Sequence, residues 1–392
     1  MSPQRIVRLF FASTAIITLI SPQCLRANPQ PILNASEIQD NAASETSPKA
    51  ESELQQGIAL TQQGRFSEAI PHFLAARGHV SDEYAENFNL ALCYVGTSQF
   101  NHAIQLLTAL KISGHATPGV NNLLAQAYIG ARQDKQAFST FQQAVKQTPQ
   151  DEKLYLLVAE ACMDHQSYDM GLDVLNIGLQ HLPKSSRLHY ERGVFLSFEN
   201  EVDPARADFD LASKLAPGSD IFYMAAGQKA FLEGNMPEAA RISREGIQNG
   251  HDSYILLTIF GDAVVHSDVR ADQPEFKEAQ TALEKSVTER PDYAVSQAAL
   301  GELYLMTGRV DGAIEHLEVA RKLSPDDASV YSHLAIAYRR KNETQKAEHM
   351  LTMLANLNQK QAAKYKSGSP GHKAGYISSE RPRRQPSSNL FE

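Results

Sequence analysis

The stretch LGELYLMTGRVDGAIEHLEVARKLSPDD, residues 300–327, decides the fold. Gly301 is followed three residues later by Tyr304, and Ala313 is followed four residues later by Leu317. Spacings of three and four bring side chains to one face of an α-helix. The stretch therefore reads as two amphipathic helices. The small residue on each lets the backbones approach closely, and the larger one fills the space beside it. Pro325 stops the second helix, because proline lacks the amide hydrogen that would continue it.

Outward from Gly301 the same unit is repeated. Gly57, Ala91, Ala125, Ala159, Gly193, Gly227 and Gly261 follow one another at one constant 34-residue step; the next interval, to Gly301, is longer by six, and Ala335 restores the step. A second series begins at Ala69, Ala103, Ala137, Gly171, Ala205 and Ala239, makes the same longer jump to Ala279, and resumes at Ala313 and Ala347. Prolines recur at positions 149, 183, 217, 291 and 325, with His251 on the vacant rung. The six extra residues thus lie between Gly261 and Ala279. No single unit can bury its apolar face alone, but stacked units share one continuous core.

These units resemble tetratricopeptide repeats. The resemblance is carried by LALCYVGTSQFNHAIQLL (90–107), by residues 300–327, and by LAIAYRRKNETQKAEHML (334–351). It implies an all-α fold, a right-handed superhelical solenoid of about nine helix–turn–helix units over residues 50–361. The units run 50–83, 84–117, 118–151, 152–185, 186–219, 220–253, 254–293, 294–327 and 328–361. The tryptophan usual in the family is missing; Tyr155, Tyr223 and Tyr331 take its place in three units, Asn87 and His189 in two others. The sixth unit carries Ser243 and Gly246 where better packers are usual, which predicts the softest inter-unit contact there. The seventh carries a long inter-helix loop, Ser267–Glu275.

The segments outside the array differ in character. Met1–Ala27 has the form of a secretory signal, with Arg5 and Arg8 before the uncharged apolar run Leu9–Ile20. Export, to periplasm or medium, with cleavage after Ala27, is expected. Residues 28–49 read as a disordered linker and 362–392 as a disordered basic tail. The tail holds six basic residues against two acidic, and the array 27 basic against 40 acidic, a net of −13. An acidic body argues against nucleic acid as a partner. Membrane association is expected only if the leader stays uncleaved or Cys24 is lipidated, and Gln23 before that cysteine fits lipidation poorly. Cys93 and Cys162, a whole repeat apart, read as buried small apolar residues rather than a disulfide.

No catalytic constellation is recognisable: there is no nucleophile elbow, phosphate-cradling loop or HExxH, and no cysteine pair at zinc spacing. Neither enzyme activity, cofactor nor metal is expected. The expected function is an exported scaffold for protein or peptide segments, the alternative being an envelope-anchored architectural factor acting through tails and convex face. In the family the first helix of each unit lines a concave groove where peptides dock. The resemblance then makes Asn89, Leu92, Gln126, Glu160, Glu191, Gln228, Asp262, Glu302 and His333 groove positions, with Asn89 matching an asparagine that holds a peptide backbone. Arg339 and Arg340 close the last first-helix, either as a basic mouth or as charges favoured by the helix dipole.

Overall fold

A computed structural model describes residues 46–366; the leader, the linker as far as residue 45 and residues 367–392 lie outside the described residues. The described residues form 18 helices and no strand. They come in pairs. Unit 1 holds α1 (Pro48–Gln62) and α2 (Phe66–Ala76), unit 2 α3 (Glu83–Gly96) and α4 (Phe100–Ile112), unit 3 α5 (Pro118–Gly130) and α6 (Asp134–Gln147). Unit 4 holds α7 (Glu152–Asp164) and α8 (Tyr168–His181), unit 5 α9 (Ser186–Phe198) and α10 (Val202–Leu215), unit 6 α11 (Asp220–Leu232) and α12 (Met236–Gln248). Unit 7 holds α13 (Tyr254–Val265) and α14 (Pro274–Glu289), unit 8 α15 (Ala294–Met306) and α16 (Val310–Leu323), unit 9 α17 (Ala328–Arg340) and α18 (Thr344–Lys366). Helix thus begins slightly before the expected array, with Pro48 in the first turn, and runs on past its expected end to Lys366.

The recurring small residues do what their spacing suggests. A Cβ on Gly57 would stand 2.8 Å from the Phe73 ring, on Gly193 2.8 Å from Phe209, on Gly261 2.3 Å from Leu283, and on Gly301 2.6 Å from Leu317. In each case the partner is the large residue on the second helix of the same unit. A further regularity concerns the turn between paired helices. Gly64, Ser98, Arg132, Gln166, Asn200, Gly234, Gly308 and Asn342 all adopt positive φ there, on the same step as the small residues except across the insertion. Only three of these eight are glycine, so residue type alone conceals the pattern.

The missing tryptophan is compensated by hydrogen bonds. The Tyr155 hydroxyl donates to the Pro149 carbonyl and that of Tyr331 to Pro325, both at 2.8 Å. Gln297 donates through Nε2 to Pro291 at 2.7 Å, and the His189 ring reaches Pro183 at 3.1 Å. Four units therefore tie the start of a first helix to the proline that ended the preceding helix. Tyr155 and Tyr331 are buried.

Two expectations need correction. Unit 6 is not loosely packed. A Cβ on Gly246 would stand 2.6 Å from Tyr223 Cγ and 2.8 Å from Leu256 Cδ2, and Ser243 is fully buried opposite Gly227. Small residues here draw the helices together instead of leaving a gap. The inserted loop is also shorter than read, because Pro274 and Glu275 belong to the first turn of α14. Proline suits that turn, whose amides have no helical acceptor, and glutamate suits the positive end of the helix dipole.

The core is not continuous from end to end. On α13, Leu256, Ile259 and Ala263 join the core of units 3–6, while Leu257, Phe260, Val264 and Val265 join that of units 7–9. A similar division runs through α5, where Ala125 and Ile129 face one block and Leu124 and Ala127 another. Cys93 and Cys162 are buried and free, and burial pushes both thiols up, that of Cys93 to about 11. Among the described residues no helix is long and apolar enough to cross a membrane.

Candidate interaction groove

The first helices of units 4–9 turn polar groups toward one another. Tyr254 on α13 lies within electrostatic range of Glu160 on α7, Glu191 on α9, and Arg290 and Asp292 after α14. Tyr293 senses Tyr254, Tyr190, Asp262 and Arg290, so residues from units 5 and 7 converge on one place. Tyr293 meets Tyr254 edge to face at 5.1 Å, and the Arg290 guanidinium lies over the Tyr254 ring at 5.0 Å. The winding is tight: Tyr168 on α8 senses Asp326 between α16 and α17, bringing unit 4 beside the unit 8–9 junction.

Acid and base alternate along this inner face. His266 Nδ1 lies 3.2 Å from Asp262 Oδ1, and its Nε2 lies 3.7 Å from Glu302 Oε2. Glu302 Oε2 is in turn 3.6 Å from His333 Nδ1. Burial alone would pull the His266 ring down, but the Asp262 and Glu302 carboxylates override it and push the ring up to about 10. It is an imidazolium at neutral pH. Burial raises Glu302 against the pull of His333 and His266. Burial likewise pushes Glu191 up to about 7 against the pull of Arg187. Four buried atoms of this region, Arg187 Nε, Tyr254 Oη, Asp262 Oδ2 and Arg290 Nη2, have no hydrogen-bonding partner among the described residues. Chemically the face offers carboxylate and phenol oxygens to a cationic donor, with aromatic surface beside them. No group of three or more His, Cys, Asp or Glu among the described residues could hold a metal ion.

A family model described as tetratricopeptide repeat matches residues 271–332. That match falls on the units whose paired helices and interlocked small residues are described above. The chain is a tetratricopeptide repeat protein. A second family model, for ChAPs (Chs5p-Arf1p-binding proteins), matches residues 32–192. Among curated relatives, the BBSome complex member BBS4 homolog of Drosophila melanogaster is 25% identical over 179 residues, 44% of this chain and 37% of the relative. The anaphase-promoting complex subunit cut9 of Schizosaccharomyces pombe is 25% identical over 150 residues, 37% of this chain and 22% of the relative. The chain thus spans little more than a third of the first relative and less of the second. Among solved structures, the Cut9–Hcn1 hetero-tetramer of APC/C aligns with a TM-score of 0.48 at 17% identity, over 79% of this chain and 61% of that one. A tetratricopeptide repeat protein from Parabacteroides merdae aligns with a TM-score of 0.46 at 15% identity, over 66% of this chain and 99% of that one.

Within the tetratricopeptide array, the expected groove positions are of three kinds. Asn89, Gln228 and Asp262 are buried, which departs from the open surface expected of them. The reason is the tight winding, which makes the inner faces of successive first helices cover one another. Leu92, Gln126, Glu160, Glu191, Glu302 and His333 are half-buried, and only Arg339 and Arg340 are exposed. The Asn89 amide is already half used: Nδ2 donates to the Ala85 carbonyl at 2.8 Å, while buried Oδ1 meets no partner. Gln126 donates to Asn122 Oδ1 at 2.5 Å. Arg340 donates to the Leu305 carbonyl at the end of α15, so it serves that helix terminus, not an open mouth.

Glu160, Glu191, Asp262, Glu302 and His333 are brought together; Asn89, Leu92 and Gln126 stand apart in units 2 and 3. The sequence reading missed Arg187, Tyr190, Tyr254, His266, Arg290 and Tyr293. His266 alone carried a local signal, standing four residues after Asp262 on one helix face. The others come from units 5 and 7, and the two sets meet only through the superhelical winding.

Proposed function

We propose that this tetratricopeptide protein is an exported, non-catalytic scaffold whose concave groove takes segments of partner proteins. The observation that carries the reading is the set of buried, unpartnered polar atoms on the inner face of units 5 and 7. An unpaired buried polar atom costs about 1–3 kcal/mol, and a docked segment that supplies donors and acceptors recovers that cost. Two relatives named as members of multisubunit complexes support an assembly role. Export rests on the signal-like leader.

The test is capture from periplasm and medium by the full chain and by a variant carrying Glu160→Gln, Glu191→Gln and Glu302→Gln. These substitutions keep shape and remove charge from half-buried positions. A partner held by the wild type and lost at least about tenfold by the variant, roughly 1.4 kcal/mol, is the expected result. Equal capture by both, with equal melting temperatures, would place binding elsewhere. Mass spectrometry of the mature N-terminus is expected to begin at Asn28; an intact leader or a lipid on Cys24 would replace the exported scaffold with the anchored architectural reading.

A further inference from the structure

We infer that the basic segment Arg381–Arg384 of this same chain docks in the acidic inner face of units 4–8 and occupies it in cis. The inference rests on that face being a groove for protein segments, but it specifies an occupant and its chemistry.

Charge complementarity is the first ground. The array carries a net charge of −13, while residues 362–392 carry six basic groups against two acidic. At the inner face the carboxyl groups of Glu160, Glu191, Asp262, Asp292 and Glu302 lie among the cations Arg187, Arg290 and His266. The second ground is an acceptor already built and buried. Asp262 is 1% exposed, His266 engages its Oδ1, and its Oδ2 meets no donor. Tyr254 Oη, in the same region, has none either. A guanidinium suits this place better than an ammonium, because its planar fork bonds a carboxylate and stacks on an aromatic ring at once. The Tyr254 ring already holds one guanidinium, that of Arg290, at 5.0 Å.

The segment also has the reach. Two carboxylate sites, at Asp262 and at Glu302, are bridged by His266 alone. Helix α18 ends at Lys366, and residues 367–380 connect it to Arg381. A connection of that length, fully extended, spans up to about 50 Å, more than the roughly 35 Å length of α18 itself, so the segment can return past unit 9 to unit 8. With the segment in place, a partner's basic stretch must displace it, and apparent affinity falls by the occupied fraction.

The test needs no partner. p-Benzoylphenylalanine is placed at Gln385 in the full chain, the sample is irradiated at low concentration, and cross-links are mapped by mass spectrometry. Expected are links within one chain to peptides containing residues 187–191, 254–262 or 290–302. Their yield should fall about fivefold or more on going from about 0.05 M to about 0.5 M salt, as screening requires. The triple variant Arg381→Glu, Arg383→Glu, Arg384→Glu should abolish them. Links only between two chains would overturn the inference in favour of docking in trans. Links scattered over the convex face, or links insensitive to the charge reversal, would also overturn it. Cross-linking to the groove with no partner ever captured would leave this inference standing and sink the scaffold reading; the converse result would do the reverse.

Discussion

At the scale of single residues, the closeness of the paired helices is set by glycines whose missing Cβ is filled by a neighbour. A Cβ on Gly261 would lie 2.3 Å from Leu283, a fully buried side chain with no room to retreat, whereas one on Gly227 would lie 3.0 Å from the rotatable Ser243 hydroxyl. Gly261→Ala is therefore expected to destabilise by about 1–3 kcal/mol, and Gly227→Ala by less than about 1 kcal/mol. Urea unfolding of the two variants compares them directly; equal losses would remove the overpacking argument. Glu86 presents a different case. It is 1% exposed on α3 and neither carboxylate oxygen has a hydrogen-bond partner. Burial pushes its carboxyl up to about 7, with Arg77 opposing. The folded chain thus holds this proton more tightly than the unfolded one. Its contribution is full below about 4.5, the ordinary value, and declines as pH rises through about 7. Glu86→Gln should match the wild type near pH 4.5 and exceed it at pH 8 by about 1–3 kcal/mol. A constant difference at both pH values would contradict this.

At the scale of elements, α13 is the piece that joins two cores and carries the groove's central charges. His266 at its end pairs with Asp262 within the helix and with Glu302 on α15. Its ring is raised from 6.5 to about 10, so the stabilisation is complete below 6.5 and is lost as pH rises through about 10. His266→Gln leaves Asp262 buried without its cation and is expected to cost about 3 kcal/mol at pH 7. Thermal unfolding at pH 7 and pH 10.5 checks it: the gap between variant and wild type should narrow at the higher pH. A gap of constant size would mean that the ring acts by packing alone. The paired helices themselves were legible in advance, because an amphipathic spacing of three and four is a local signal. The firmness of unit 6 was not. Ser243 and Gly246 look like poor packers in a line of letters, yet Gly246 admits Tyr223 and Leu256. Whether a small residue leaves a gap or closes one depends on how near the neighbouring helix comes.

At the scale of the whole molecule, the core falls into three blocks divided at α5 and α13. A repeat array is held by nearest-neighbour contacts, and its parts open separately where those contacts are divided. Native-state hydrogen exchange is expected to show three opening units, roughly units 1–2, 3–6 and 7–9. A single global opening for all protected amides would show that the divisions carry no energetic weight.

The constant step, the helix pairs and the place of the insertion were determined by the sequence alone. Each rests on residues close together in the chain, whose spacing states a helix face directly. The turn positions with positive φ follow the same step but were hidden, since Ser98, Arg132 and Gln166 do not announce that conformation. The groove was only half legible. Glu160, Glu191, Asp262 and Glu302 could be picked out by their rung. The burial of Asp262 and half-burial of the others, their company with Tyr190, Tyr254, Tyr293 and Arg290, and the charged state of His266 were decided by the tertiary structure. The reason is geometric: the pitch of the superhelix sums small rotations over many units, and no residue or single unit encodes that sum by itself.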